Sequence, residues 1–224
     1  MSKGHVFLID DDHGVRAVLA DLLRFAGYEV TIWESAEVFL SQIPMLAPAV
    51  VLTDMRMAGM SGLEMHIELT RRGRRFPVIY LSGESTVPQT VQAMKLGAFD
   101  FLTKPVSREQ LLGVVAAGIE HDRLEMQTVL RQARFKQAQE HLSPRERQVH
   151  DLLVRGYSNR EIMEALGISL PTAKQYESEV MRKLGMRSLA ELMAFSKDPE
   201  DDVAAQSQKS ALSNLPEAPQ PRGP

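Results

Sequence analysis

From residue 5 to residue 120, short runs rich in β-branched residues alternate with longer amphipathic segments, and no other feature narrows the accessible folds as far. A strand, a crossover helix and a second parallel strand form the repeating unit of an open sheet with helices on both faces. Strands are expected at 6–9, 29–33, 50–53, 78–81 and 99–102. Helix-length segments separate them. In 15–25, for example, Val15, Leu19, Leu22, Leu23 and Phe25 share one side, and Gly27 follows the end. Five strands and five helices then give an α/β unit with a five-stranded doubly wound parallel sheet.

The chain has 224 residues, 44% of them hydrophobic, which suffices for a second core. Residues 119–141 are polar and charged, carry Ile119, Met126, Leu130 and Ala133, and contain neither Pro nor Gly, so they are expected to extend the last helix as a linker or short dimer coil. Three helix starts follow at Ser143-Pro144-Arg145-Glu146, Ser158-Asn159-Arg160-Glu161 and Ser188-Leu189-Ala190-Glu191. Each has the pattern of a capping box, and Pro144 stands at the first helical position, where its missing N–H costs nothing. Short capped helices in quick succession imply a small all-α bundle. From Asp198 onward the chain holds five of its twelve prolines and no aromatic residue, a composition expected to stay disordered. The expected division is therefore 1–120, a helical linker at 121–141, a helical domain at 142–197 and a tail at 198–224.

Composition removes several classes of function. Without cysteine there are no disulfides, cysteine-zinc sites or thiol nucleophiles. The apolar stretch before Asp10 is too short for a signal peptide or a membrane span, so the protein is expected in the cytoplasm with no membrane partner. The net charge of −3 hides an asymmetry: residues 1–120 carry 11 Lys and Arg against 14 Asp and Glu, residues 121–197 carry 13 against 10, and residues 198–224 carry 2 against 5. An acidic first domain joined to a mildly basic second one suits a regulatory module tied to a nucleic-acid-binding module.

Chemistry in an open parallel sheet gathers at the carboxyl ends of the strands. Here those ends carry Asp10-Asp11, Asp54, Ser82, and Lys104 followed by Pro105. Carboxylates brought together there repel by roughly 4 kcal/mol per pair at about 4 Å with an effective dielectric near 20. A hard divalent cation with oxygen ligands, Mg²⁺ above all, would offset that repulsion, and Lys104 adds a second positive charge. A carboxylate nucleophile, a metal, a lysine and a hydroxyl are also the parts needed to accept a phosphoryl group, and Gly83 beside Ser82 leaves room for it. Taken singly, each aspartate reads equally as a helix cap or a strand end.

Phe7-Leu8-Ile9-Asp10-Asp11-Asp12, Leu52-Thr53-Asp54-Met55-Arg56-Met57-Ala58-Gly59-Met60-Ser61-Gly62, Leu81-Ser82-Gly83 and Thr103-Lys104-Pro105 resemble the receiver domain of response regulators over residues 5–120. The resemblance implies a flavodoxin-like fold with Asp54 as phosphoacceptor. It implies that Asp10, Asp11, Asp54 and the Arg56 carbonyl hold Mg²⁺, that Ser82 and Lys104 contact the phosphoryl oxygens, that Ser82 and Phe101 act as the switch pair, and that Lys104–Pro105 is cis. Phe101 also reads as a core strand residue. Ala58 stands where the family often has proline, which is expected to loosen that loop. Haloacid-dehalogenase-type phosphatases also use an aspartate nucleophile on a similar sheet, but they need a second acid two positions on, and here that position is Arg56. Beyond slow self-dephosphorylation, no enzymatic activity is expected.

The segment 161–184 reads as helix, turn and helix, with the turn at Gly167-Ile168-Ser169 and Pro171 in the first turn of the second helix. Ala173, Tyr176, Val180 and Leu184 fall on one face of that helix, and Lys174, Gln175, Ser178 and Arg182 fall on another. The polar set reads either as a solvated face or as residues presented to a major groove. Leu142-Ser143-Pro144-Arg145-Glu146-Arg147-Gln148-Val149, Gly156-Tyr157-Ser158-Asn159-Arg160-Glu161-Ile162 and Lys183-Leu184-Gly185 resemble the LuxR-type DNA-binding domain in the NarL/FixJ arrangement over residues 142–196. By that resemblance, Lys174, Gln175 and Ser178 align with base-reading positions and Thr172 and Lys183 with backbone contacts, while the fourth helix, 189–195, often dimerises. Tyr176 departs from the usual histidine. Glu177 and Glu179 add negative charge near the groove, so they face away, weaken binding, or, for Glu177, read a cytosine.

The two resemblances together imply a transcription regulator in which a sensor histidine kinase phosphorylates Asp54 and the phosphorylated chain dimerises on promoter DNA, with RNA polymerase as a further candidate partner. The alternative is a signalling adaptor whose helix-turn-helix domain binds a protein in place of DNA.

Overall fold

The computed structural model describes residues 2–44, 46–73, 75–83 and 87–196. The tail from Asp198 lies outside them. The chain forms two compact units, the first ending at Val129 and the second beginning at Leu130.

The first unit contains β1 (His5–Ile9), α1 (His13–Phe25), β2 (Glu29–Trp33), α2 (Ala36–Ser41), β3 (Ala49–Asp54), α3 (Gly62–Arg71), β4 (Val78–Ser82), α4 (Val87–Lys95), β5 (Asp100–Thr103) and the start of α5 (Arg108–Glu140). All strand pairs are parallel, in the order β2-β1-β3-β4-β5. Observed strand ends lie within a residue of those expected. The extension expected at 119–141 continues α5 without interruption, and α5 runs for 33 residues.

Alternation along the strands builds the two faces of the core, because successive side chains point to opposite sides. Phe7, Ile9, Val51 and Tyr80 pack with Trp33, Phe39, Met65 and Leu69 on one side. Val6, Leu8, Val50, Leu52, Ile79 and Leu81 pack with Leu19, Leu23, Leu111, Val115 and Ile119 on the other. Phe7 is a hub, with ring centroids 5.7 Å from Trp33 and 5.3 Å from Phe76, both edge-on. With the central strands β1, β3 and β4 anchored on both faces, the carboxyl ends of β1 and β3 form a rim where the strand order reverses.

The second unit comprises α6 (Pro144–Val154), α7 (Asn159–Leu166), α8 (Leu170–Leu184) and α9 (Leu189–Ser196). Val149, Leu153, Ile162, Ala173, Val180, Leu184 and Leu192 form its core, joined by Phe135 near the end of α5. The Ser143/Glu146 and Ser158/Glu161 capping boxes are complete. The third is only half made: Ser188 Oγ accepts from the Glu191 N–H at 3.2 Å, but Glu191 Oε2 accepts from the Arg187 N–H at 2.7 Å and not from Ser188. Arg131 pairs with the other oxygen of the same carboxylate. A box not anticipated, Ser61/Glu64, opens α3. Among the described residues no helix is long and apolar enough to cross a membrane.

Candidate functional site

Asp10 follows β1 and is fully buried, while Asp54 closes β3 and is partly buried. Parallel register places Ile9 beside Thr53, so the two carboxylates emerge side by side. With Asp11 they form an acidic cluster in which one oxygen from each residue lies within 4.8 Å of the others. Lys104, after β5, reaches into this rim: its Nζ lies 2.8 Å from Asp10 Oδ2 and 2.6 Å from Asp54 Oδ2. Burial lowers the Lys104 pKa, but hydrogen bonds and charge from the two aspartates outweigh it, so the net shift is upward and the ammonium is kept.

The backbone completes the rim. Asp10 Oδ1 accepts from the Asp12 N–H at 2.9 Å and Asp54 Oδ1 from the Arg56 N–H at 3.1 Å. Asp12 caps α1 through the Val15 N–H, and that bond holds its carboxyl below the usual range. The Lys104 N–H donates to the Ser82 carbonyl at 2.7 Å, and the Lys104–Pro105 peptide is cis. Ser82 is buried at the end of β4. Phe101 is half-buried, its ring centroid 6.4 Å from that of Tyr80.

Two residues not singled out in the sequence belong to this neighbourhood. Arg16 is buried and its Nη1 donates to the Asp10 carbonyl. Its place one helical turn after Asp12 was the available signal. Glu37 at the start of α2 accepts the Met60 N–H, a contact between distant segments that spacing does not reveal. Ala58 also behaves otherwise than expected. The N–H that a proline would lack donates to Asp11 Oδ2 at 2.8 Å, so the loop is pinned and not loosened.

Gly62 packs directly behind Asp54. A Cβ there would lie 2.3 Å from the Asp54 carbonyl oxygen and 3.1 Å from Thr53 Oγ1. Gly62→Ala should therefore force α3 off the end of β3, at a cost of about 1–3 kcal/mol measurable by urea denaturation. A stability equal to that of the unsubstituted chain would contradict this close approach.

In the second unit, Lys174, Gln175, Ser178 and Arg182 are exposed on one side of α8, and Ala173, Val180 and Leu184 are buried on the other. Three neighbours are engaged inside the domain. Lys183 Nζ binds Glu146 at 2.7 Å, the Thr172 hydroxyl shares a hydrogen bond with Ser169 Oγ at 2.7 Å, and Glu177 accepts from Asn159 of α7. Glu177 is thus directed to α7, while Glu179 accepts from Gln175 Nε2 at 3.2 Å.

A doubly wound sheet with three carboxylates and a lysine on its carboxyl rim, joined to a capped helix-turn-helix unit, defines a receiver with an attached output domain. Comparison with known proteins agrees. The family described as "Response regulator receiver domain" matches residues 6–116, and "Bacterial regulatory proteins, luxR family" matches residues 140–196. Nodulation protein W of Bradyrhizobium diazoefficiens is 39% identical over 87% of this chain and 86% of its own length. Transcriptional regulatory protein FixJ of Azorhizobium caulinodans is 40% identical over 85% and 90%. Among solved structures, the response regulator StyR superposes with a TM-score of 0.71 at 37% identity, covering 85% of this chain and 96% of that one. Full-length FixJ from B. japonicum gives 0.56 at 36% identity, over 88% and 97%. The chain belongs to the two-component response regulators that join a receiver to a LuxR-type helix-turn-helix domain, a family of transcription regulators and not of classical enzymes.

Proposed function

We propose that this protein accepts a phosphoryl group on Asp54 from a sensor histidine kinase and, so modified, binds promoter DNA as a dimer through α8. The observation that carries the reading is the position of Asp54 at the end of β3, 2.6 Å from Lys104 and clustered with Asp10 and Asp11. A carboxylate oxygen of Asp54 attacks the phosphorus of a phosphohistidine or acyl phosphate. The new O–P bond forms as the donor's bond to phosphorus breaks and the donor leaves with that electron pair. Attack by water later releases inorganic phosphate and restores the carboxylate. Lys104 offsets the charge on the phosphoryl oxygens, and Ser82 and Phe101 are the residues that respond to it.

Three carboxylate oxygens with this spacing suit a small hard cation. Asp10, Asp11, Asp54 and the Arg56 carbonyl would hold Mg²⁺, which when bound offsets the negative charge of carboxylates and phosphoryl oxygens together. For DNA, the exposed set Lys174, Gln175, Ser178 and Arg182 supports base and phosphate contacts. The Asn159 hydrogen bond turns the Glu177 carboxylate toward α7.

Selection of duplexes from a genomic library, with and without an acyl-phosphate donor, tests the whole reading. Phosphate-dependent enrichment of a two-half-site sequence is expected, with affinity that falls steeply as salt rises. Failure to bind any selected duplex even at low salt would instead favour the adaptor reading, in which the helical domain contacts a protein.

A further inference from the structure

The loop between Asp54 and α3 is held by carboxylates along its length. The Arg56 N–H donates to Asp54 at 3.1 Å, the Ala58 N–H to Asp11 at 2.8 Å, the Met60 N–H to Glu37 at 2.7 Å and the Ser61 N–H to Glu64 at 2.8 Å. Asp54 and Asp11 belong to the acidic cluster, and Glu64 belongs to the cap of α3. Glu37 belongs to neither. It comes from the first turn of α2, 23 residues before its partner.

Gly59, between the two long-range anchors, has φ +81°, and a Cβ there would lie 2.6 Å from Glu37 Oε1. The carboxylate therefore lies close over a backbone that only glycine leaves open. Hydrogen bonds from its own backbone N–H and from Met60 keep the Glu37 carboxyl below its ordinary range, so it is ionised at neutral pH.

We infer that Glu37 is a positioning residue for the cation-binding loop: its bond to Met60 sets where the Arg56 carbonyl and the Ala58 amide lie against Asp11 and Asp54. This rests on the Mg²⁺ site proposed above. Ala58 is anchored on Asp11, which is itself a proposed ligand, so a cation and the Ala58 N–H draw on one carboxylate. The Glu37–Met60 bond makes no such demand on the cluster and holds the loop whether or not a cation is bound. With alanine at position 58, no pyrrolidine ring stiffens the loop there.

Mg²⁺ titration of the full chain by calorimetry, with amide hydrogen exchange at Met60 followed in parallel, tests the role. Glu37→Met removes the acceptor and should weaken Mg²⁺ binding roughly three- to tenfold while speeding exchange at Met60. Glu37→Gln keeps a carbonyl acceptor and should stay within about twofold of the unsubstituted chain. Gly59→Ala drives a methyl group into the same contact and should weaken binding by an independent route, which keeps the test decisive if Glu37→Met fails to fold. Unchanged Mg²⁺ affinity in Glu37→Met, or in Gly59→Ala where the former does not fold, overturns the positioning role and leaves the cation site standing. Equal loss in Glu37→Gln and Glu37→Met also overturns it, since charge and not the hydrogen bond would then matter. Absence of Mg²⁺ binding by the unsubstituted chain removes the cation site, and the role with it.

Discussion

Asp54→Asn is expected to abolish phosphoryl incorporation from an acyl-phosphate donor, read as the loss of a mass increase of one phosphoryl group on the intact chain. The amide carbonyl can still accept the Arg56 N–H, so the loop keeps its anchor, but no anionic oxygen remains to attack phosphorus. Lys104 retains its partner in Asp10 at 2.8 Å. Losing one of three clustered carboxylates also relieves repulsion, so the variant should be at least as stable as the parent in the absence of metal. Phosphate-dependent DNA binding should vanish with the incorporation. Undiminished incorporation would place the acceptor elsewhere in the chain.

Lys183→Met is expected to destabilise the helical domain by about 1–3 kcal/mol, because it leaves a buried charged acceptor without its partner. Glu146 has a side chain only 5% exposed, accepts from Lys183 Nζ at 2.7 Å and also closes the capping box on the Ser143 N–H at 2.8 Å. The Lys183 hydrogen bond, then that of Ser143, lowers its carboxyl to about 2 from an ordinary 4.5. A depressed carboxylate contributes stability that is fully present above the unfolded value and is lost as pH falls through the folded one. The domain should therefore weaken progressively between pH 4.5 and 2. Lys183→Met should flatten that part of the profile relative to the parent in circular-dichroism melts. Parallel acid slopes in the two proteins would show that the ion pair is not the source.

Val6 to Ile9 and Val50 to Thr53 reveal their strands because both faces of a central parallel strand are buried, which leaves an apolar run with few alternatives. Asp10, Asp54 and Lys104 were legible as a set because parallel register carries strand ends to one rim whatever the loops do. The Ser143 and Ser158 boxes were legible because both partners lie within one turn. The Ser188 box is only half made, since Glu191 accepts from the Arg187 N–H and pairs with Arg131, sixty residues away in the chain.

Local spacing fixes the α/β rhythm, the helix caps, the order of polar strand ends and the polar face of α8. The folded packing settles how the side chains are shared. It gave the Ala58 N–H to Asp11, Met60 to Glu37, Lys183 to Glu146 and Glu177 to Asn159. Each of these is a contact between segments that neither periodicity nor motif spacing brings together. A charged side chain takes the nearest partner in space, and space is set by the packing of the whole core.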